Sequence, residues 1–268
     1  MKNFKYLLLL AALAACGSDD DADDMGTIGL ALDHGVGGHA LALDQIQYTN
    51  AAGNQYGVSR LEYIISHVHL EDSDGNSFML APQHYRNAAS GSTRMLLNDE
   101  VPAGTYTALT FRFGSRAGAG TLSDKVHFAN MEWPEPLGGG YHYMKFEGLF
   151  QGDGGEDAFA VHTGPSGGDD FTFDVAVPIN LTVDGDAWEI GLVMDLNEWL
   201  VHPNTYNFAD YGGIMGNAGA QAIIRDNGSD AFSVSGIHPL DPDAAAHAGH
   251  DDDHAGHDGG AEDHSEHM

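Results

Sequence analysis

The chain has 268 residues, with forty Asp and Glu against ten Lys and Arg and a formal net charge of −30 at pH 7. A surface this acidic repels nucleic acid and anionic lipid headgroups, which excludes both as partners held by charge. The single cysteine, Cys16, excludes a disulfide framework and a thiolate metal cluster, so the fold must rest on its hydrophobic core.

The N-terminus has the pattern of an export signal. Lys2 and Lys5 precede an apolar run from Tyr6 to Ala15, too short to span a bilayer, which needs about 20 residues. The run ends Leu13-Ala14-Ala15-Cys16, a small-residue cleavage site followed by cysteine, as in bacterial lipoproteins. The reading is a signal peptide over residues 1–15, with Cys16 as the lipidated mature N-terminus. More than one acyl chain is needed for stable anchoring. Residues 16–26, rich in Asp, form an acidic tether. Gly17, in place of the aspartate associated with inner-membrane retention, favours an outer-membrane lipoprotein, periplasm-facing or surface-exposed.

Residues 27–237 read as one all-β domain. Tyr63–Leu70 and Phe78–Leu80 flank Asp72-Ser73-Asp74-Gly75-Asn76, a hairpin signal. Further strands are expected at Thr105–Phe113, Tyr141–Leu149, Ala158–His162, Phe171–Val177 (broken by Pro178) and Trp188–Asp195. Short strands between turns predict an antiparallel β-sandwich of immunoglobulin or jelly-roll type, with long loops and at most one short helix. That helix is expected at Ala218–Arg225, capped by Asn217. Residues 238–268 then carry seven histidines and nine acids with no Lys or Arg, a composition that cannot build a packed core and predicts a disordered tail.

Histidine is the residue that could carry chemistry. His67 and His69, two apart on a strand, are expected on one face, where both imidazoles could reach one ion. His162 ends a strand at a glycine-rich loop, and Trp133 sits in a loop of Pro and Gly rather than in a strand period. His34 and His142 are secondary candidates. Lys145 and Glu147 share a strand face and could pair with each other. In the tail, His247, His250, His254, His257, His264 and His267 could chelate copper, zinc or nickel weakly. No H-E-x-x-H helix or P-loop occurs, and the chain is read as a binder and not an enzyme. Asp72, Asp74, Asp184 and Asp186 read as turn chemistry. Trp188 and Trp199 could stack on sugars but are more simply core residues.

The ordered set of segments resembles the MbnP-like family of methanobactin-associated periplasmic proteins. The resemblance runs from Leu32-Asp33-His34-Gly35 through Val58–Ser66, Phe111-Arg112-Phe113-Gly114, Met131-Glu132-Trp133 and Tyr141–Gly148 to Val161-His162-Thr163-Gly164, Ile214–Asn217 and Asp230-Ala231-Phe232. It implies a β-sandwich that binds copper through histidines. It also implies a tryptophan near the metal that is oxidised to kynurenine by a partner, a di-haem cytochrome c peroxidase-like (MbnH-type) protein. Trp133 and His162 match the family's M-x-W and H-x-G segments. Many members carry a second tryptophan two residues after the first, and here that place is Glu135. Many also lack histidine at the positions of His67 and His69. The expectation is a copper-binding envelope lipoprotein for storage, uptake or delivery. The alternative is a zinc- or nickel-buffering lipoprotein acting through its tail, with the sandwich as scaffold.

Overall fold

A computed structural model of the chain describes residues 25–90, 94–115, 128 and 130–241. The signal segment, Cys16, most of the acidic tether and the tail histidines His247, His250, His254, His257, His264 and His267 lie outside the described residues. The described chain is a β-sandwich, as the strand and turn pattern predicts. One sheet holds β1 (Gly26–Val36), β2 (His39–Ala40), β6 (Arg94–Val101), β11 (Ala187–Asp195) and β12 (Phe232–Pro239). The other holds β3 (Tyr48–Thr49), β4 (Gln55–Asp72), β5 (Ser77–Asn87), β7 (Gly104–Phe113), β8 (Met144–Gly152), β9 (Gly155–Thr163) and β10 (Phe173–Val183). The strand pairing departs from a purely antiparallel sandwich where β1 and β11 run parallel. The inward side chains Ile28, Leu30 and Leu32 of β1 meet Tyr63, Phe113, Phe146 and Val161 of the facing sheet in one continuous core.

β4 organises the second sheet. One of its edges pairs first with β8, from Tyr56 to Tyr63, and then with β7, from Ile65 to Asp72. The changeover falls at Ile64, whose N–H donates to Tyr143 O at 3.0 Å and whose carbonyl accepts from Gly114 N at 2.8 Å. β5 runs along the opposite edge from Glu62 to Glu71. Two irregularities, at Val58/Arg60 and between Ser66 and His69, each reverse which parity faces the core. Core positions on β4 accordingly run Tyr56 and Val58, then Leu61, Tyr63 and Ile65, then Val68 and Leu70. An extra residue in a strand shifts all later side chains to the other face.

Two local expectations are corrected. The strand expected from Tyr141 begins at Met144, because Tyr141 bridges back to Glu132 in a covering loop. Pro178 does not end its strand. It lies in β10, the last strand on its side of the sheet, where proline is tolerated, and the register shifts between Pro178 and Leu181. The expected helix forms over Ala218–Gly228, with the Asn217 side chain accepting from Ala220 N. No helix among the described residues is long and apolar enough to cross a membrane.

Candidate metal centre

The outer face of the second sheet is built from alternate residues that point away from the core. These are Arg60 and Glu62 of β4, Lys145 and Glu147 of β8, and His162 of β9; Glu62, Lys145 and His162 stand in one cross-strand row. Residues 130–143 fold over this face. Gly138, Gly139 and Gly140 all adopt positive φ (128°, 65° and 88°), a conformation that costs glycine little. The turn they make returns the chain on itself, so that Trp133 N donates to Gly140 O at 2.8 Å and His142 N to Met131 O at 2.6 Å. Phe128, Met131 and Ile64 form a small apolar cluster beneath the loop, with Tyr85 and Tyr141 against it.

This loop brings Trp133, His142 and His162 together. The Trp133 and His142 rings are 4.7 Å apart and nearly perpendicular, and His142 and His162 are 5.1 Å apart in the same arrangement. Trp133 is 3 % exposed and His142 6 %. Gly164 gives the indole its seat, since a Cβ there would lie 2.5 Å from Trp133 Cε3. Among the described residues the buried Trp133 Nε1 has no hydrogen-bond partner.

Each imidazole is held by a group that fixes its tautomer. Met131 O can only accept, so His142 Nδ1 donates to it at 3.2 Å. The Glu147 carboxylate accepts from His162 Nε2 at 2.6 Å, and the same oxygen accepts from Arg60 Nη1 at 3.3 Å. The ring nitrogens left with lone pairs are therefore His142 Nε2 and His162 Nδ1. Burial, helped by the positive charge of Lys145, lowers His142 to about 4. Burial also lowers His162, against the opposing pull of Glu147. Both rings are thus neutral at physiological pH, the form that binds metal.

The helix supports the pair. Gln221 of the helix, fully buried, donates to the carbonyls of His162 and Ile214 and accepts from Gly164 N. Gln221 and Glu147 were not identified as site residues from sequence. A polar Gln on the apolar side of a helix was the available signal for the first. Lys145, expected to pair with Glu147, instead donates to Asn130 O.

The expected convergence of His67, His69 and His162 does not occur. His67 lies five residues beyond Glu62 on β4, about 16 Å along the strand, and His162 is on the second strand across, about 10 Å away. Nor do His67 and His69 follow simple alternation. His67 occupies the bulge with φ +52° and is exposed, while Val68 turns into the core. His34 also stands apart, on the inner side of the sheet. Its Nε2 meets Tyr63 Oη at 3.0 Å, and burial with the nearby Arg86 lowers it to about 3. Among the described residues no group of three or more His, Cys, Asp or Glu side chains is placed to hold an ion.

MbnP from Methylosinus trichosporium resembles this structure with a TM-score of 0.47 and 12 % identity, covering 80 % of this chain and 99 % of the other. No curated protein matches the sequence. The family model for MbnP matches residues 25–216, which contain Trp133, His142 and His162. The chain belongs to the MbnP family.

Proposed function

We propose that this chain is an exported lipoprotein that binds copper between His142 and His162, beside Trp133, in a methanobactin-associated setting, and that it acts as a binder rather than a catalyst. The observation that carries the reading is the pair of fixed tautomers. The Glu147 carboxylate and the Met131 carbonyl each accept a hydrogen bond from one ring N–H, leaving one basic nitrogen on each buried ring. A carboxylate or carbonyl behind a ligand histidine is the usual outer shell of a metal site. Two imidazoles fall short of the four ligands that structural zinc takes. They suit copper, above all Cu(I), which accepts low coordination numbers, so copper is favoured over zinc in the folded domain.

Bound copper would supply a one-electron redox centre next to an indole. The protein's own part is to keep both rings neutral, orient them and seal the indole from water. Trp133 is the residue that a di-haem peroxidase-like partner would oxidise to kynurenine. The tail supports a second activity, loose capture of copper, zinc or nickel through its interleaved His and Asp.

The test is copper titration of the full chain against a competing chelator. One tight equivalent, lost in His162→Asn and in His142→Asn but kept when the tail histidines are replaced, supports the reading. Loss of the tight equivalent with the tail alone overturns it. Mass spectrometry of protein from its native host tests the oxidation separately, as one oxygen gained and one carbon lost on the Trp133 peptide.

A further inference from the structure

The histidines at the bulge have a different neighbour from the one the sequence suggested. His69 pairs directly across β4 and β5 with Met79. Directly opposed residues of an antiparallel pair point to the same face, with Cβ atoms about 4.5–5.5 Å apart. Val68 and Leu70 on either side of His69 are buried, so the shared face is the outer one. Met79 is 47 % exposed, against 43 % for Met25 and 44 % for Leu149, the other exposed large apolar side chains among the described residues.

The bulge also prepares the imidazole. His69 Nδ1 lies 2.7 Å from the His67 carbonyl, which can only accept, so Nδ1 carries the proton and Nε2 keeps its lone pair. Glu71, two residues on, is already engaged, its carboxylate accepting from Thr110 Oγ1 at 3.2 Å. That leaves a half-buried nitrogen donor and an exposed thioether opposite each other on the outer face, next to the register shift between Val68 and His69.

We propose that His69 and Met79 form a second, solvent-facing site for a soft monovalent cation, Cu(I), with the imidazole Nε2 and the thioether Sδ as its donors. Thioether sulfur selects Cu(I) over zinc, calcium or magnesium. Exposure makes the site one of capture and exchange, in contrast to the sealed pair under the loop. It stands on residues separate from that pair, so the two can fail independently.

The test uses the full chain with its methionines labelled at the ε-methyl carbon. Ag(I) serves as a redox-inert probe for Cu(I), and Met79→Leu identifies the Met79 methyl signal. The expected result is a saturable shift of that signal, with the apparent affinity reduced by at least about tenfold in His69→Asn and unchanged in His162→Asn. A Met79 signal that ignores Ag(I), that responds equally in His69→Asn, or that stops responding in His162→Asn overturns the proposal. Copper lost from the sealed pair while the Met79 response persists would refute the sealed site alone.

Discussion

Two histidine pairs lie on the outer face of the same sheet and are built in opposite ways. His142 and His162 are covered by a loop, set against a buried indole and backed by Met131 O and Glu147. His67 and His69 sit at a bulge, the first exposed and the second half-buried, with the His67 carbonyl as the partner of His69. Spacing in sequence favours the second pair and burial favours the first. The difference teaches that two histidines on a strand make a candidate, whereas enclosure and a fixed proton make a site able to hold metal against water and acid.

The largest expected effect comes from removing a ligand of the enclosed pair. His162→Asn should weaken copper binding by more than about 100-fold, beyond the range seen for outer-shell changes. His67→Asn should leave the tight equivalent unchanged. Equal losses in the two variants, measured by chelator competition, would erase the contrast. Glu147→Gln comes next. The amide can still accept from Nε2 but no longer stabilises the polarised ring, so affinity should fall by about 10-fold or more with stoichiometry kept.

The pairs should also separate by pH. The lowered value of His142, about 4, means that protons compete for its nitrogen only in that region. Ordinary histidines give up metal as the pH falls through about 6.5. Copper retention at pH 5.5 should therefore report the enclosed site, while capture by the tail is already failing. The sign for folding follows from the same shift. In the metal-free protein the unfolded chain takes up a proton at His142 below about pH 6.5, while the folded chain resists until about 4. Stability should thus decline across that window. A urea midpoint that stays level between pH 7 and pH 5 would contradict the burial of this ring.

Much of the scaffold is legible in the sequence because its determinants are local. Asp72-Ser73-Asp74-Gly75-Asn76 makes its turn through Asp72 Oδ1 accepting from Asp74 N and Asn76 N. Asn217 caps its helix as expected. Trp133 and His162 are recognisable from loop composition and from the H-x-G segment. What alternation hides is the pair of irregularities in β4, since a single added residue leaves the apolar pattern intact locally while exchanging the faces beyond it. The placement of His142, a secondary candidate, is hidden for another reason. His142 reads as a strand residue beside Tyr143, but the three glycines before it form a turn that carries it under the loop. The partnership of Glu147 with His162 depends on the β8–β9 register, which no short segment encodes.

A smaller effect sharpens the role of the enclosure. Gly164→Ala would place a Cβ within 2.5 Å of the Trp133 ring, and neither the indole nor the strand end has room to move freely. Overpacking of this kind costs about 1–3 kcal/mol. Thermal unfolding should register it, and Trp133 fluorescence should shift as the indole gains water.

The smallest expected effect has the opposite sign. His67 holds a left-handed backbone at φ +52°, a region that costs an L-residue about 1–2 kcal/mol and glycine almost nothing. Its side chain is exposed, so little packing is lost on its removal. His67→Gly should then stabilise the fold, by about 0.5–1 kcal/mol once the greater freedom of glycine in the unfolded chain is deducted. The His67 carbonyl that holds His69 belongs to the backbone and survives the change, so the Ag(I) response at Met79 should persist. If the variant is less stable than the parent, the His67 side chain contributes more than its contact with Ser66 Oγ at 3.3 Å, and the open pair is more tightly built than its exposure implies.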